Sequence, residues 1–310
     1  MKNVKKVAAC VFFLFSMLSV SFAGHAEDKA AHKLKIGISF QTLNNSYLVL
    51  MKKSLEEAAT EIGAQVLVTD ARNNVSKQVN DIEDMLQENI DILLINPTDS
   101  VGVQSAVMDA KEKGVTVVAV DAQASGPVDS YVGSKNYDAG YIAGKYLAEK
   151  LGGKGDVAIL DGIAVVPILE RVKGFEAAIK ENPGMKIVTR QNGHQDRATA
   201  LNVTENILQS APTLKGLFSV NDSGALGAIA AIDASGKDVK MVSVDGYPEA
   251  VDIIAKGNPH FIATSGQFPR DQLRIALGIA LAKHWGAHIP ATIPVDVKLV
   301  TKENAKDFHW

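Results

Sequence analysis

Short apolar segments rich in β-branched residues alternate with longer amphipathic segments from Lys35 onward, and this alternation restricts the fold more than any other feature. The apolar segments predict ten strands, at 35–40, 65–71, 91–96, 116–122, 130–134, 156–162, 185–191, 216–221, 239–245 and 261–267. Between them, apolar residues recur at the three- and four-residue intervals of amphipathic helices. Strands that alternate with helices predict a parallel sheet covered on both faces. Two sets of such strands therefore predict two doubly wound α/β lobes.

The two halves of the chain share a second pattern at the ends of their strands. In the first half, a strand ending at Asn96 is followed 25 residues later by Asp121, at the end of another strand. In the second half, Asn221 and Asp245 stand 24 residues apart in the same arrangement. This repetition predicts an internal duplication with all four side chains at the carboxyl ends of parallel strands, where open α/β sheets bind ligands. For any one residue, a turn or helix N-cap role stays open, because Asn and Asp favour both.

Further polar side chains follow the same strand ends. They are Gln41, Asn45, Tyr47, Arg171 and Gln267. A carboxylate accepts two or more hydrogen bonds, an amide both donates and accepts, and charge-assisted bonds are about twice as strong as neutral ones. The set therefore favours a small polyhydroxylated ligand, a monosaccharide or polyol. A phosphate would favour glycine-rich loops and positive charge instead of two acids.

Composition and motifs argue against other classes of protein. The net charge is −3, without the basic excess of a nucleic-acid binder, and the G-x-G-x-x-G, G-x-x-x-x-G-K-[ST] and G-x-S-x-G motifs are absent. Asp121 and Asp245 resemble the carboxylate pair of a glycoside hydrolase, but their matched placement favours holding a ligand. His284 and His288 lie among Gly and Pro, which indicates a surface loop and not a metal pair. We expect no enzymatic activity, no metal and no cofactor.

The N-terminus has the three parts of a secretory signal peptide. A basic start, MKNVKK, precedes an apolar segment of about 17 residues, and small residues allow cleavage after Ala23 or Ala26. A transmembrane anchor is the alternative, but the apolar segment is short and no stop-transfer cluster follows it. Cys10, the only cysteine, ends a lipoprotein-like VAAC box, yet the apolar segment follows this box instead of preceding it. We expect residues 1–26 to be removed and the mature chain to lie in the periplasm without a disulfide.

Many of these segments, in this order and spacing, resemble the periplasmic sugar-binding proteins of ABC importers, in particular the ribose-binding protein group. The resemblance rests on QTLNNSYL, LLINPTDS, VVAVDAQA, YIAGKYLA, ERVKGF, VNDSGALGA and VDGYPEA. It implies a type I periplasmic binding protein-like fold, in which a three-crossing hinge joins two lobes around a ligand cleft. Carried over, residues 33–134 with 268–296 form the first lobe, and residues 135–267 with 297–310 form the second.

The same resemblance implies which residues contact the ligand. Positions that match the family's contacts are Asn45, Asn96, Asp121, Arg171, Asn221, Asp245 and Gln267. Differences from the ribose binder fall at Gln41, Tyr47, Leu48, Ala122, Gln195 and Val244, where an arginine and several aromatics are replaced. Losing a hydrogen-bonding partner costs roughly 1–3 kcal/mol if its counterpart stays buried. We therefore expect a monosaccharide or polyol other than ribose.

The resemblance also implies a partner, the membrane permease of an ABC importer, which receives the ligand from the closed form. A sensing role, in which the protein feeds a chemoreceptor or a sensor kinase, stays open as the alternative because its binding residues would look the same. The effector domain of a sugar-responsive repressor shares the architecture, but it would need a DNA-binding motif where this chain has a signal peptide.

Overall fold

The computed structural model describes residues 33–310, so the predicted signal peptide with Cys10 lies outside the described residues. Within residues 33–310, twelve strands form two six-stranded sheets. The strands are Lys35–Phe40 (β1), Gln65–Asp70 (β2), Ile92–Asn96 (β3), Thr116–Val120 (β4), Ser130–Ser134 (β5), Lys154–Asp161 (β6), Gly184–Asn192 (β7), Leu214–Ser219 (β8), Lys240–Asp245 (β9), Phe261–Gly266 (β10), Thr292–Val295 (β11) and Lys298–Thr301 (β12).

The helices connect these strands and cover the two sheets. They are Ser46–Glu61 (α1), Val75–Gln87 (α2), Gln104–Glu112 (α3), Asn136–Lys150 (α4), Val166–Lys180 (α5), Arg197–Ser210 (α6), Asp222–Ser235 (α7), Pro248–Ala255 (α8) and Pro269–His284 (α9). A short 3-10 helix, Ala305–Asp307, follows the last strand. Within the described range, no helix is long and apolar enough to cross a membrane.

The two sheets have equivalent strand orders, β11-β5-β4-β3-β1-β2 and β12-β10-β9-β8-β6-β7. All neighbours are parallel except β10 and β12, which are antiparallel. This equivalence confirms the predicted pair of doubly wound α/β lobes. We call the first sheet with its helices the first lobe and the second sheet with its helices the second lobe.

All ten predicted strands are present, and their ends differ from the prediction by at most two residues. The strand predicted over 116–122 ends at Val120 because Asp121 has a φ of 66°, which no extended strand accommodates. β11 and β12 were not predicted as strands. Each has only four residues, none of β11 and only two of β12 are buried, and Pro294 interrupts the apolar pattern of β11.

The chain passes between the sheets after β5, after β10 and between β11 and β12. Two of these passages touch, since Lys135 Nζ lies 2.5 Å from Asp296 Oδ1 and the Lys135 N–H donates to the Val295 carbonyl at 2.9 Å. The lobe boundaries given above, at residues 134, 267 and 296, stay a prediction.

Two glycines bring α4 and α5 into backbone contact, and this contact positions Arg171. A Cβ on Gly140 would lie 1.8 Å from the Arg171 carbonyl oxygen, and one on Gly174 would lie 1.9 Å from the Tyr137 carbonyl oxygen. Only glycine allows helix backbones to approach this closely. Behind the helices, Phe175 stacks on Phe218 with ring centroids 4.4 Å apart, which anchors α5 on β8.

Candidate functional site

A cavity lies between the two lobes where the carboxyl ends of their parallel strands face each other. Its enclosed volume is about 60 Å³, against roughly 10–15 Å³ for one water on the same measure. The cavity therefore has room for several small polar groups. Its lining residues are Gln41, Asn45, Tyr47, Leu48, Pro97, Asp121, Ala122, Ile163, Val165, Pro167, Ile168, Arg171, Gln195, Asn221, Asp245, Tyr247 and Gln267.

Eight of the nine predicted site residues line this cavity: Gln41, Asn45, Tyr47, Asp121, Arg171, Asn221, Asp245 and Gln267. The ninth, Asn96, is fully buried behind Asp121 and is not a lining residue. Its amide Nδ2 donates to Asp121 Oδ2 at 3.1 Å and to the Val120 carbonyl at 3.3 Å. In this arrangement Asn96 orients the carboxylate that faces the cavity.

Asp121 is the carboxylate of the first lobe. Burial raises its pKa to about 6, the Arg171 charge lowers it in part, and the Asp245 charge raises it further. Hydrogen bonds from Asn96 and Tyr47 favour the ionised form. Among residues 33–310, Asp121 receives a side-chain hydrogen bond from Asn96 and has no adjacent cation from its own lobe, which leaves accepting positions for other donors.

Asp245 is the carboxylate of the second lobe, and it is held by more partners. Arg171 Nη1 donates to its Oδ1 at 3.0 Å, and Gln267 Nε2 donates to the same oxygen at 2.6 Å. Arg171 and Asp245 are only 4% and 6% exposed. Burial raises the pKa of Asp245, and the Arg171 cation lowers it in part. This buried ion pair fixes the orientation of both side chains.

Arg171 is held from two further sides, since Nε donates to Asn136 Oδ1 at 2.9 Å and Nη1 to the Val220 carbonyl at 2.9 Å. Among the described residues its Nη2 has no hydrogen-bond partner, so it is available to a group in the cavity. The side-chain oxygen of Gln267 is also buried without a partner. Both groups belong to residues that line the cavity and bond to Asp245.

Asn221 has a second role that its spacing did not reveal. Its side-chain oxygen accepts from the Gly224 N–H at 3.0 Å and so caps the N-terminus of α7. The cap alternative that stayed open for each strand-end residue therefore holds for Asn221, although the residue also lines the cavity.

Asp222 is a buried carboxylate that the sequence reasoning missed. It accepts from the N–H groups of Gly246 and Tyr247, both at 2.7 Å, and from the hydroxyls of Ser243 and Thr264. Burial raises its pKa to about 7, and the neighbouring Asp245 charge adds to the rise. Asp222 thereby holds the turn that carries Asp245. The only signal was its position directly after Asn221.

Both cavity aspartates have positive φ, 66° at Asp121 and 134° at Asp245. Such conformations are sparsely populated by residues with a side chain and persist where the surroundings enforce them. At Asp121, the Tyr131 hydroxyl donates to the main-chain carbonyl at 3.0 Å. At Asp245, the Gln267 N–H and the Trp310 Nε1–H donate to the carbonyl, at 2.9 and 3.1 Å.

Tyr247 is a lining residue that the sequence reasoning also missed. Its hydroxyl donates to Asn45 Oδ1 at 2.6 Å, and this bond joins the second lobe to the first. The same oxygen of Asn45 accepts from the Tyr47 N–H at 2.9 Å as the N-cap of α1. A signal was present, because Tyr247 follows Asp245 by two residues.

The positions that differ from the ribose binder fall into two groups. Gln41, Tyr47, Leu48, Ala122 and Gln195 line the cavity, so these differences change its surface. Val244 is fully buried in the core of the second lobe and is not a lining residue, so its difference does not alter that surface. Tyr247 contributes an aromatic ring to the lining in addition to Tyr47.

The chain matches known proteins over most of its length. Residues 36–284 match the family model described as periplasmic binding protein domain. The ribose import binding protein of Bacillus subtilis is 38% identical over 307 residues, which cover 97% of this chain and 99% of that protein.

Two solved structures are similar in fold. A periplasmic solute-binding protein of an ABC transporter from Actinobacillus succinogenes, with bound D-allose, is 32% identical with a TM-score of 0.83, over 89% of this chain and 100% of that one. The Caulobacter myo-inositol binding protein, bound to myo-inositol, is 30% identical with a TM-score of 0.83, over 88% of this chain and 95% of that one. The chain therefore belongs to the periplasmic binding protein family and is a type I periplasmic sugar-binding protein.

Proposed function

We propose that this protein captures a monosaccharide or polyol other than ribose by closing its two lobes around it, and delivers it to an ABC importer. One observation carries the proposal: Asp121 from the first lobe and Asp245 from the second line the same cavity, together with amides from both lobes. A ligand with hydroxyls on opposite sides would bond to both lobes at once. Its binding would therefore favour the closed arrangement.

Three polar groups of the lining contact the ligand in this proposal. Asp121 accepts hydrogen bonds from ligand hydroxyls on the first-lobe side. Arg171 Nη2 donates to a ligand oxygen, and the free side-chain oxygen of Gln267 accepts from a hydroxyl. Tyr47, Tyr247 and the apolar residues near Ile168 cover the C–H face of the ligand. Two carboxylates against one cation disfavour an anionic ligand.

The exclusion of ribose rests on the cavity lining. Ala122 stands beside Asp121 where the ribose binder has an arginine, so a donor to the ligand is missing from that side. Gln41 and Gln195 add amides at the rim. The curated relatives in the 35–38% identity range are ribose import binding proteins, while the similar solved structures above hold D-allose and myo-inositol. The relatives therefore span several polyhydroxylated ligands, and the changed lining favours one other than ribose.

The test is thermal denaturation of the protein without residues 1–26 against ribose, other pentoses, hexoses including allose, linear polyols and inositols. The protein is first unfolded and refolded to release any ligand bound during expression. A ligand at a hundred times its Kd stabilises by about 2.7 kcal/mol, which raises Tm by roughly 5 °C or more. We expect at least one such rise with a compound other than ribose. Submicromolar binding of ribose would contradict the proposed preference for another ligand. If no compound of the panel raised Tm, the proposed ligand class would be wrong.

The Asp121→Ala variant is the matched control, because its side chain faces the cavity. We expect it to unfold cooperatively and to lose the ligand-induced rise in Tm. A pull-down with the closed, ligand-bound protein then separates delivery to a permease from signalling to a chemoreceptor.

A further inference from the structure

The last residue of the chain, Trp310, lies at the seam between the two lobes. Its ring centroid is 5.6 Å from that of Tyr47 and 5.0 Å from that of Tyr247, in edge-to-face geometry at 85° and 78°. Its Nε1–H donates to the main-chain carbonyl of Asp245 at 3.1 Å. Trp310 therefore contacts one aromatic residue from each lobe and the backbone of a site carboxylate.

The C-terminal segment belongs to the second lobe. β12 pairs with β10, and the 3-10 helix that follows packs on α8. Phe308 is buried against two glycines, where a Cβ on Gly246 or Gly266 would come within 2.6 or 2.4 Å of its ring. Because this segment is anchored to the second lobe, the contact of Trp310 with Tyr47 on α1 crosses from one lobe to the other.

A second contact crosses the seam at the same place. The Tyr247 hydroxyl donates to Asn45 Oδ1 at 2.6 Å. We call Asn45, Tyr47, Tyr247 and Trp310 the aromatic seam. The first three line the cavity, while Trp310 stands behind the two tyrosines and is not a lining residue. Trp310 can therefore affect a ligand only through the residues that it holds.

We infer that Trp310 is a positioning residue for ligand binding, which holds Tyr47 and Tyr247 in place across the closed seam and slows ligand release. This inference rests on the proposed function and adds a residue to it. Edge-to-face aromatic pairs stabilise a contact by more than the burial of their apolar surface alone would. Opening the lobes separates Trp310 from Tyr47 but leaves its contacts within the second lobe intact. The contact is therefore made only in the closed state.

The first experiment measures the affinity and the release rate of a ligand identified in the panel above. Trp310→Ala is expected to raise Kd roughly five- to twentyfold, with most of the change in the release rate and little in the association rate. Trp310→Phe keeps a ring at the seam and is expected to recover most of the affinity. His309→Ala is the matched control, because that neighbouring side chain is exposed. Equal Kd and release rates for wild type and Trp310→Ala would overturn the inference.

Trp310 fluorescence supplies a second test, which compares the ligand-free protein with the protein saturated by the same ligand. The chain has two tryptophans, and Trp285 is 74% exposed after the end of α9, so Trp285→Phe leaves Trp310 as the single emitter. In this background the ligand is expected to make Trp310 less accessible to acrylamide, because Trp310 contacts Tyr47 only when the lobes are closed. Equal quenching of Trp310 with and without ligand would overturn the contact across the seam.

The two experiments distinguish a failure of the proposed function from a failure of the role of Trp310. A panel in which no compound raises Tm would overturn the proposed function, on which the role of Trp310 rests. Ligand binding by wild type with no effect of Trp310→Ala would overturn the role of Trp310 and leave the proposed function intact.

Discussion

The two lobes place an aspartate at equivalent positions of equivalent sheets, yet the two carboxylates have different partners. Asp245 is nearly buried and receives hydrogen bonds from the Arg171 guanidinium and the Gln267 amide. Asp121 retains some surface in the cavity and receives a side-chain hydrogen bond from the Asn96 amide. The internal duplication therefore repeats the backbone but not the electrostatic environment.

This difference indicates a division of labour. A buried carboxylate is stable when a cation and hydrogen-bond donors surround it, as they do around Asp245. Asp121 is desolvated without a cation from its own lobe, and its pKa of about 6 reflects that. We therefore expect Asp245 to serve both stability and binding, and Asp121 to serve binding at the expense of stability.

The largest effect is expected for Arg171→Met, which removes the cation from Asp245 and leaves buried acids without compensation. Removing one partner of a buried ion pair lowers the free energy of unfolding by about 3–5 kcal/mol. Urea denaturation of the ligand-free protein at pH 7.5 measures the free energy of unfolding. Lys173→Met is the matched control, because Lys173 lies on the same helix, is exposed and pairs with Glu170. A loss below about 1 kcal/mol for Arg171→Met would contradict a structural role of the pair.

The next effect concerns pH and Asp121. Its pKa in the folded state, about 6, lies above the ordinary value of 3.8, so the folded protein binds this proton more tightly than the unfolded chain does. The protonated group therefore adds to the free energy of unfolding below about pH 4. As pH rises from about 4 to about 6, this contribution of about 3 kcal/mol is lost. Asp121→Asn should remove this dependence. The measurement is the difference in free energy of unfolding between wild type and Asp121→Asn from pH 4 to 7.5, which should grow with pH.

Ligand binding should respond to Asp121→Asn in the opposite direction. A hydrogen bond to a charged group contributes about 1.5–3 kcal/mol, so we expect Kd to rise roughly 10- to 100-fold. Calorimetry with the ligand found in the panel, at pH 7.5, measures this change. Asp245→Asn should weaken binding and also lower the free energy of unfolding, because Arg171 then lacks its carboxylate. If both variants lost stability equally, the proposed division of labour would be wrong.

The smallest effect separates the two matched asparagines. Asn221→Ala removes the N-cap of α7 and should lower the free energy of unfolding by about 1 kcal/mol. Asn221→Ser should restore most of it, since serine is also a good N-cap. Asn96→Ser should not restore what Asn96→Ala loses, because the shorter side chain has no amide to donate to Asp121. Chemical denaturation of these four variants checks whether the two residues differ in role.

The fold could be predicted almost completely from the sequence, because the apolar runs that form the strands are local features of the chain. Runs such as Ile92–Asn96 and Thr116–Val120 are buried along their whole length, and a strand covered on both faces must be apolar throughout. β11 and β12 escaped prediction because short, partly exposed strands have no such run. The ends of the strands were predicted less accurately than their presence. Whether Asp121 continues a strand or leaves it depends on a backbone angle that neighbouring residues enforce.

The candidate site could be predicted in part, and the division has a physical reason. Which side chains stand at the carboxyl ends of strands follows from position along the chain, so eight of the nine predicted residues share one cavity. Which partner each side chain finds does not follow, because the partners are far apart in sequence. Arg171 and Asp245 are 74 residues apart, and Asn45 and Tyr247 are 202 apart. The sequence by itself determined two duplicated lobes with acids and amides at their strand ends. Only the tertiary structure decided that one acid is paired, the other is not, and the last tryptophan bridges the seam, since those contacts form when distant segments pack together.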